Sequence, residues 1–310
     1  MRIAFLGKGG SGKTTMTTSF IKYLEKLNKQ VLAVDADVNV HLREALDMNS
    51  PLLGEKFNEI ASYFEKEKVE KNIPIIGTLT PSRETTFIYP TLNDPFIQKF
   101  GTVKNNLGLL SVGTYNKEGL GVSCYHSKLG SIVLAYNRLL DNKDFYVVSD
   151  MTAGVDAVGT SMFAVSDINI FVIEPTKKSI QVLNDYKNIV NDSKNKIYVI
   201  ANKIENDEDI EFINNNVDKN LILGYVKKSN NLRKFEQGNK QGIEDFADEI
   251  NEINETILNK LNNCNKNWDE YYDIHKKIFI DDASEWYSEY HKQDLTKYID
   301  NNFKYSEVIK

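Results

Sequence analysis

Cysteine and proline are scarce in this chain of 310 residues, which has two cysteines and six prolines. The cysteines, Cys124 and Cys264, are too few for a disulfide framework, so we expect a reducing, cytoplasmic setting. No run of about 18 apolar residues occurs, so the sequence predicts no membrane-spanning helix. An apolar strand pattern starts at the N-terminus, and we therefore expect no signal or transit peptide.

The chain also has no excess of positive charge. It contains 38 Lys and Arg residues and 44 Asp and Glu residues, which gives a net charge of −6. Such a chain has no global attraction to nucleic acid or anionic lipid, although the net charge does not exclude a local basic patch. We therefore expect neither a nucleic-acid nor a membrane partner. The length fits one large α/β domain with an appendage, or two small domains.

Glycine is concentrated in one short segment, residues 7–15, which read Gly-Lys-Gly-Gly-Ser-Gly-Lys-Thr-Thr. An apolar run precedes it and a helical pattern follows, which is the setting of a phosphate-binding loop. Lys13 is predicted to reach the β- and γ-phosphates, and the Thr14 hydroxyl to bind Mg²⁺. The predicted nucleotide-binding residues of the loop are Gly9, Gly10, Ser11, Gly12, Lys13, Thr14 and Thr15.

Acidic residues follow two predicted strands. Asp37 comes 24 residues after Lys13, and we predict that it orients the attacking water, with helix capping as the alternative role. Asp35 is interpreted either as a structural residue or as a residue that contacts the ligands of the Mg²⁺ ion rather than the ion itself. Asp150 closes an apolar run in the manner of a Walker B acid that reaches Mg²⁺ through water, and Gly154 lets the next loop approach the γ-phosphate.

Short apolar runs alternate with helical patterns, which predicts an α/β fold with a doubly wound, mostly parallel sheet and helices on both faces. Strand order cannot be read from the pattern. The predicted strands are 2–6, 31–35, 107–112, 145–150, 168–173, 196–201 and 221–226. The predicted helices between them are 13–28, 128–142, 178–191 and 207–216.

The domain organisation is predicted as an ATPase domain over 1–262 and a helical, aromatic-rich C-terminal extension over 263–310. Residues 50–106 hold five of the six prolines and are interpreted as an irregular insertion on one rim of the sheet. An amphipathic helix is expected over 243–262 and another over 283–303. The extension either packs back on its own domain or binds a partner.

Lys8 gives the loop the pattern Lys-Gly-Gly-x-Gly-Lys-Thr, which resembles the deviant Walker A motif of the MinD, ParA, ArsA and nitrogenase-iron-protein ATPases. The resemblance implies a P-loop NTPase fold, Mg²⁺-dependent ATP hydrolysis and a homodimer that forms on ATP binding. It also implies that Lys8 reaches across the dimer to the partner's phosphates. In this class, the Asn of Asn202-Lys203 hydrogen-bonds the adenine. Glu205 stands where a guanine reader needs Asp, which favours ATP over GTP.

Two stretches, Asp150-Met151-Thr152-Ala153-Gly154 and residues 172–180, resemble the CooC-type ATPases, which are linked to nickel insertion into carbon monoxide dehydrogenase. That group carries Cys-x-Cys where this chain has Cys124-Tyr125-His126. Two chains would supply two thiolates and two imidazoles, a set that suits Zn²⁺ and accepts Ni²⁺. The alternative is that Cys124 is a small buried apolar residue and His126 a hydrogen-bonding surface residue. Asp156-Ala157, Thr160 and Val226-Lys227 also depart from the group's pattern.

Three functions fit these features. The leading one is an ATP-hydrolysing homodimeric switch that assists maturation of, or metal insertion into, a client metalloprotein. The second is a positioning ATPase similar to ParA or MinD, which would need a basic DNA-binding face or an amphipathic lipid-binding terminus. The third is an ATP-dependent ligase whose substrate site is formed by residues 50–106.

Overall fold

A computed structural model describes residues 1–37, 39–64, 81–113, 125–190 and 196–309. Its strands form a single sheet in the order β3-β4-β2-β5-β1-β6-β7-β8. The strands are β1 (Arg2–Gly7), β2 (Gln30–Ala36), β3 (Thr102–Lys104), β4 (Leu107–Ser111), β5 (Phe145–Met151), β6 (Ile168–Ile173), β7 (Lys196–Ile204) and β8 (Ile222–Lys227).

Every neighbouring pair in this sheet is parallel except β3 and β4. The predicted doubly wound, mostly parallel sheet is therefore confirmed. Each predicted strand has a counterpart, whereas β3 was not predicted, because its three residues are too few for a periodic pattern. Parallel pairing brings the carboxyl ends of the other strands to one edge of the sheet.

Helices cover both faces of the sheet. Alternate residues of β2 belong to different cores, since Leu32 and Val34 pack on one face and Val31 and Ala33 on the other. The α-helices of the described ranges are α1 (Lys13–Lys26), α2 (His41–Ala45), α3 (Phe57–Phe64), α4 (Pro95–Phe100), α5 (Tyr125–Tyr136), α6 (Lys177–Ile189), α7 (Asp207–Asn216), α8 (Asn230–Glu236), α9 (Gln241–Glu249), α10 (Asn251–Asn262), α11 (Trp268–Asp282) and α12 (Ser288–His291).

The single helix predicted over 243–262 is wrong, because the chain breaks into α9 and α10 at Ile250. The backbone of Ile250 leaves the helical region, with φ −107° and ψ 27°. Ile250, Ile257 and Leu261 are nevertheless all buried. The apolar spacing continues through the break, so the periodicity alone could not reveal it.

The helix predicted over 283–303 is also wrong, because the main helix of this region is α11, which starts earlier. The Asn267 side chain accepts hydrogen bonds from the backbone N–H groups of Asp269 and Glu270 at 3.1 and 3.3 Å, which caps α11. A wide π-type turn over Ala283–Tyr287 then leads into α12, which has four residues.

The segment predicted as an irregular insertion contains α3, α4 and β3, and its residues 65–80 lie outside the described ranges. β3 pairs antiparallel with β4 at the edge of the sheet. Ile60, Phe64 and Phe96 are completely buried in the same core as the sheet. The described part of this segment therefore contributes to the main core.

Residues of the C-terminal segment pack on the amino ends of the central strands. Arg2 is fully buried, and its Nε lies 2.9 Å from Asp141 Oδ1. Lys266 Nζ reaches the same carboxylate at 2.6 Å. The Arg2 guanidinium lies 5.1 Å from the ring centroid of Tyr271 in α11, and Tyr271, Phe303 and Tyr305 join the main core. The segment thus packs back on the sheet.

No helix in the described part of the chain combines the length and hydrophobicity needed to cross a bilayer.

We predict that Asp141→Asn lowers the free energy of unfolding by about 3–5 kcal/mol, because Asp141 is the shared buried counter-charge of Arg2, Lys266 and the N-terminal ammonium group. Asp144→Asn, a change at an exposed neighbouring acid, is the control and should cost almost nothing. Urea denaturation at pH 7 measures both variants. An Asp141→Asn protein as stable as the control would contradict the role of this cluster.

The ion pairs of Asp141 also make the stability of the protein depend on pH. Burial raises the pKa of Asp141, but attraction to Lys266, to the N-terminal ammonium group and to Arg2 outweighs it and holds the pKa well below its usual range. The stabilisation is therefore complete above the unfolded pKa of about 4 and declines at lower pH. The difference between wild type and Asp141→Asn should shrink as the pH falls below about 4.

Candidate functional site

The glycine loop between β1 and α1 lies at the carboxyl edge of the sheet. Gly10 and Gly12 have φ of 80° and 98°, values that favour glycine. The Ser11 N–H donates to the Lys8 carbonyl at 3.1 Å, which closes the turn. Lys13 then begins α1, so the helix N-terminus and its N–H groups face the loop. This arrangement is suited to bind an anion.

Side chains of β7 hold the loop in place. Asn202 is buried, and its Nδ2 donates to the Ser11 carbonyl at 2.8 Å. Lys203 Nζ donates to the Gly10 carbonyl at 2.6 Å, and its backbone has φ 60°. A Cβ on Gly12 would lie 2.2 Å from Asn202 Nδ2. The close approach of Asn202 therefore requires glycine at position 12.

Asp150, at the end of β5, faces the start of α1. The Thr14 hydroxyl donates to Asp150 Oδ2 at 2.6 Å, and the Thr17 hydroxyl lies 3.4 Å from Oδ1. Burial raises the pKa of Asp150 to about 6, with Lys13 and the Thr14 hydrogen bond acting against it. The ionised form thus prevails at neutral pH. A hydroxyl and a carboxylate so close together suit a hard cation that also binds phosphate oxygens.

Two more carboxyl groups lie beside Asp150 at the end of β2. Asp35 pairs in register with Asp150, and burial together with the charge of Asp150 raises the pKa of Asp35 to about 8. Its Oδ2 accepts from the Arg43 N–H at 3.2 Å, while its buried Oδ1 has no partner among the described residues. The Asp37 Oδ1 accepts from the Asn39 N–H and Nδ2, both at 2.9 Å.

Glu174 was not assigned a role from the sequence, yet it links two predicted site residues. It directly follows β6, the neighbour of β1 in the sheet. Its Oε1 lies 2.6 Å from Lys203 Nζ and its Oε2 lies 3.4 Å from Lys8 Nζ. An acid directly after a buried strand was the available signal, but its meaning depends on strand order.

The remaining predicted residues are distributed as follows. Lys13 is buried at 6% exposure, and Thr15 is partly buried beside it. Gly9 is exposed. Gly154 has φ 73° and open space where a Cβ would lie.

Cys124 and His126 are the residues predicted to bind a transition metal. Cys124 lies outside the described residues, as does the side chain of His126. Across the described ranges, no three side chains of His, Cys, Asp and Glu converge to hold a metal ion.

Glycine loop, helix N-terminus, buried lysine and strand-end acid together define a P-loop nucleotide site on a parallel sheet. A family model confirms this class: residues 3–243 match the CobQ/CobB/MinD/ParA nucleotide binding domain, CbiA. The chain belongs to this family, and it is an ATPase of the MinD/ParA/CooC class.

Individual relatives agree with this assignment. An uncharacterized ATP-binding protein of Methanocaldococcus jannaschii is 31% identical over 245 residues, which cover 76% of this chain and 88% of the relative. The carbon monoxide dehydrogenase accessory protein CooC of Rhodospirillum rubrum is 28% identical over 73% of this chain and 83% of CooC. The resemblance to CooC-type ATPases is thus confirmed.

A solved structure has the same fold. The plasmid partition protein of Borrelia burgdorferi bound to AMPPNP superimposes with a TM-score of 0.53 at 19% identity. The match covers 84% of this chain and 98% of that protein. At this identity, the likeness shows the fold alone.

We predict that Gly12→Ala weakens ATP binding by about tenfold or more, because the new Cβ collides with Asn202 and moves the loop. Gly238→Ala is the matched control, since Gly238 has a similar φ of 95° but open space around the added Cβ. The control should lose some stability and keep its ATP affinity. Calorimetric titration with ATP measures both, and equal affinities would contradict the steric explanation.

Proposed function

We propose that this ATPase is a homodimeric switch that closes on ATP and assists maturation of a client metalloprotein. The observation that carries the proposal is the difference between the two lysines of the loop. Lys13 is buried at 6% exposure, beside the place where the phosphates of its own site would bind. Lys8 keeps 28% of its side chain exposed at the rim of the site, within reach of a second chain.

A second cation at this place has a clear chemical use. ATP hydrolysis builds negative charge on the transferred phosphoryl group, and catalysis consists largely of holding that charge. Two chains that meet face to face through their carboxyl edges would each present Lys8 to the other's nucleotide. Hydrolysis would then depend on the dimer.

The acids at this edge fit the remaining requirements. Thr14 and Asp150 are the groups that would hold Mg²⁺, which when bound neutralises charge on the β- and γ-phosphates. The unpartnered buried oxygen of Asp35 fits a site completed by a hydrated cation and nucleotide. Asp37, at the end of β2, would orient the attacking water.

Asn202 supports ATP rather than GTP as the nucleotide. Its Nδ2 already donates to the Ser11 carbonyl, so the oxygen of its amide is the group left for a base. An acceptor suits the exocyclic amine of adenine, whereas the corresponding atom of guanine is an oxygen and also an acceptor.

The client role rests on similarity to CooC, the carbon monoxide dehydrogenase accessory protein. We carry over the general role alone: nucleotide-driven closure that changes affinity for a client protein. The chain segments that follow Asp150 and Asp37 leave the ends of β5 and β2 at the site. A bound γ-phosphate can order segments in such positions, and they would therefore act as switches.

We predict that wild-type protein dimerises with Mg²⁺ and a non-hydrolysable ATP analogue, and that two variants separate dimerisation from chemistry. Lys8→Ala should bind the analogue yet stay monomeric and lack turnover, because its phosphates lose the partner's cation. Asp37→Ala should dimerise but hydrolyse ATP at least about a hundredfold more slowly, because the water lacks its base. Light scattering and phosphate release measure the two properties.

Two outcomes would contradict this proposal: a wild-type mass that does not change with the analogue, or full turnover by Asp37→Ala. Sedimentation with DNA and with anionic vesicles separates the proposal from a positioning role. An ATP-dependent shift into the DNA or vesicle fraction would favour a ParA- or MinD-like protein instead.

We further propose, from the sequence alone, that Cys124 and His126 of two chains bind a transition metal in the ATP-bound dimer. The wild-type dimer, incubated with Zn²⁺ or Ni²⁺ and desalted, should hold about one ion per dimer, because the two chains together complete a four-ligand set. Cys124→Ser and His126→Ala should lose it. Cys264→Ser is the matched control and should retain the ion. A metal-free wild-type dimer would contradict the proposal.

A further inference from the structure

Glu174 lies between the glycine loop and β7 and contacts a lysine from each. One carboxylate oxygen is 2.6 Å from Lys203 Nζ, and the other is 3.4 Å from Lys8 Nζ. Burial alone raises the pKa of Glu174, but Lys203 and then Lys8 outweigh it, so the pKa lies below its usual value. The carboxylate is therefore charged and holds both cations at neutral pH.

The two contacts are unequal. Lys203 is fixed twice, because its Nζ also donates to the Gly10 carbonyl at 2.6 Å. Its contacts tie Glu174 to the loop backbone and give the carboxylate a defined position. Lys8 is held by the longer of the two contacts to Glu174. Of the two lysines, Lys8 is the one that a competing anion can remove at low cost.

In the proposed function, on which this inference rests, Lys8 has a second binding partner. In the closed dimer, the phosphates of the partner's ATP would attract it. A single ammonium group cannot stay against Glu174 of its own chain and also reach across an interface. The carboxylate and the partner's phosphates therefore compete for one cation.

We propose that Glu174 is a positioning residue that holds Lys8 within its own chain until the partner's ATP takes its place. The contact keeps the lysine at the rim of the loop and sets the nucleotide requirement for closure. Each dimer must break two such contacts as it forms. Glu174 thus opposes dimerisation, and the partner's ATP has to overcome that opposition.

Cross-linking tests the contact directly on the wild-type protein. A carbodiimide joins a carboxylate to an amine that touches it, and peptide mass spectrometry identifies the linked pair. Nucleotide-free protein should yield both Glu174–Lys8 and Glu174–Lys203 products. With Mg²⁺ and the ATP analogue, the Lys8 product should fall while the Lys203 product persists as the internal control. Absence of the Lys8 product without nucleotide, or its persistence in the dimer, would overturn the proposal.

Glu174→Gln tests the energetic consequence, because it keeps the side-chain shape and removes the charge. Ion pairs that are partly open to solvent are weak, and two are lost per dimer, so the dimer dissociation constant of Glu174→Gln should be lower than that of wild type by about twofold to thirtyfold. Glu205→Gln is the matched control, because the ion pair of Glu205 in the described part of the chain is with Lys228, at 2.6 Å, and not with Lys8 or Lys203. Analytical ultracentrifugation with the analogue measures all three proteins.

The sign of the change separates positioning from a purely structural role. If Glu174 only stabilised the loop, Glu174→Gln would weaken both ATP binding and the dimer, and that result would overturn the proposal. An unchanged dissociation constant would do the same. If wild-type protein failed to dimerise, the proposed function would fail, while the nucleotide-free cross-link would still decide whether Glu174 holds Lys8.

Discussion

The parallel pairing of β1 with β5 and β6 is the constraint on which the rest of the site depends. β1 is buried along its whole length, and its partners end at the same edge. That edge receives the loop from β1, Asp150 from β5 and Glu174 from β6. None of these groups is near another in sequence. The register of the backbone ladder, rather than any local motif, brings a hydroxyl, two acids and the two loop lysines into one small volume.

The predicted site residues could be recognised in the sequence where the chemistry imposes a fixed spacing. A phosphate-binding loop needs glycine, lysine and a hydroxyl at fixed intervals, so Gly12, Lys13 and Thr14 were recognisable without a structure. The closeness of Thr14 and Asp150, at 2.6 Å, fits the roles predicted for them. No role was predicted for Glu174, because its contacts depend on the order of the strands in the sheet, and local sequence patterns do not reveal that order. Asn202 was predicted to hydrogen-bond the adenine. Its hydrogen bond to the Ser11 carbonyl was not predicted, because it too depends on tertiary packing.

The fold was predictable in its strands and less so in its helices. Strands buried on both faces leave continuous apolar runs, whereas the helix break at Ile250 changes the backbone but not the apolar spacing. The start of α11 was missed for another reason. Asn267 sets it by accepting two local hydrogen bonds, whereas the aromatic residues used for the prediction extend on both sides of α12. Helix ends depend on single capping residues, and these carry little weight in a periodicity.

The Arg2–Asp141–Lys266 cluster has a consequence for how the chain acquires its structure. It joins the first strand to residues near the far end of the chain, across nearly the whole described sequence. Contacts so distant along the chain are slow to form and must wait for synthesis of the last segment. During translation, the glycine loop emerges early, but the buried guanidinium beneath its strand lacks its aromatic cover until α11 leaves the ribosome. The residues that surround the loop, up to Lys203, are therefore synthesised before the aromatic side chains that complete the core beneath them.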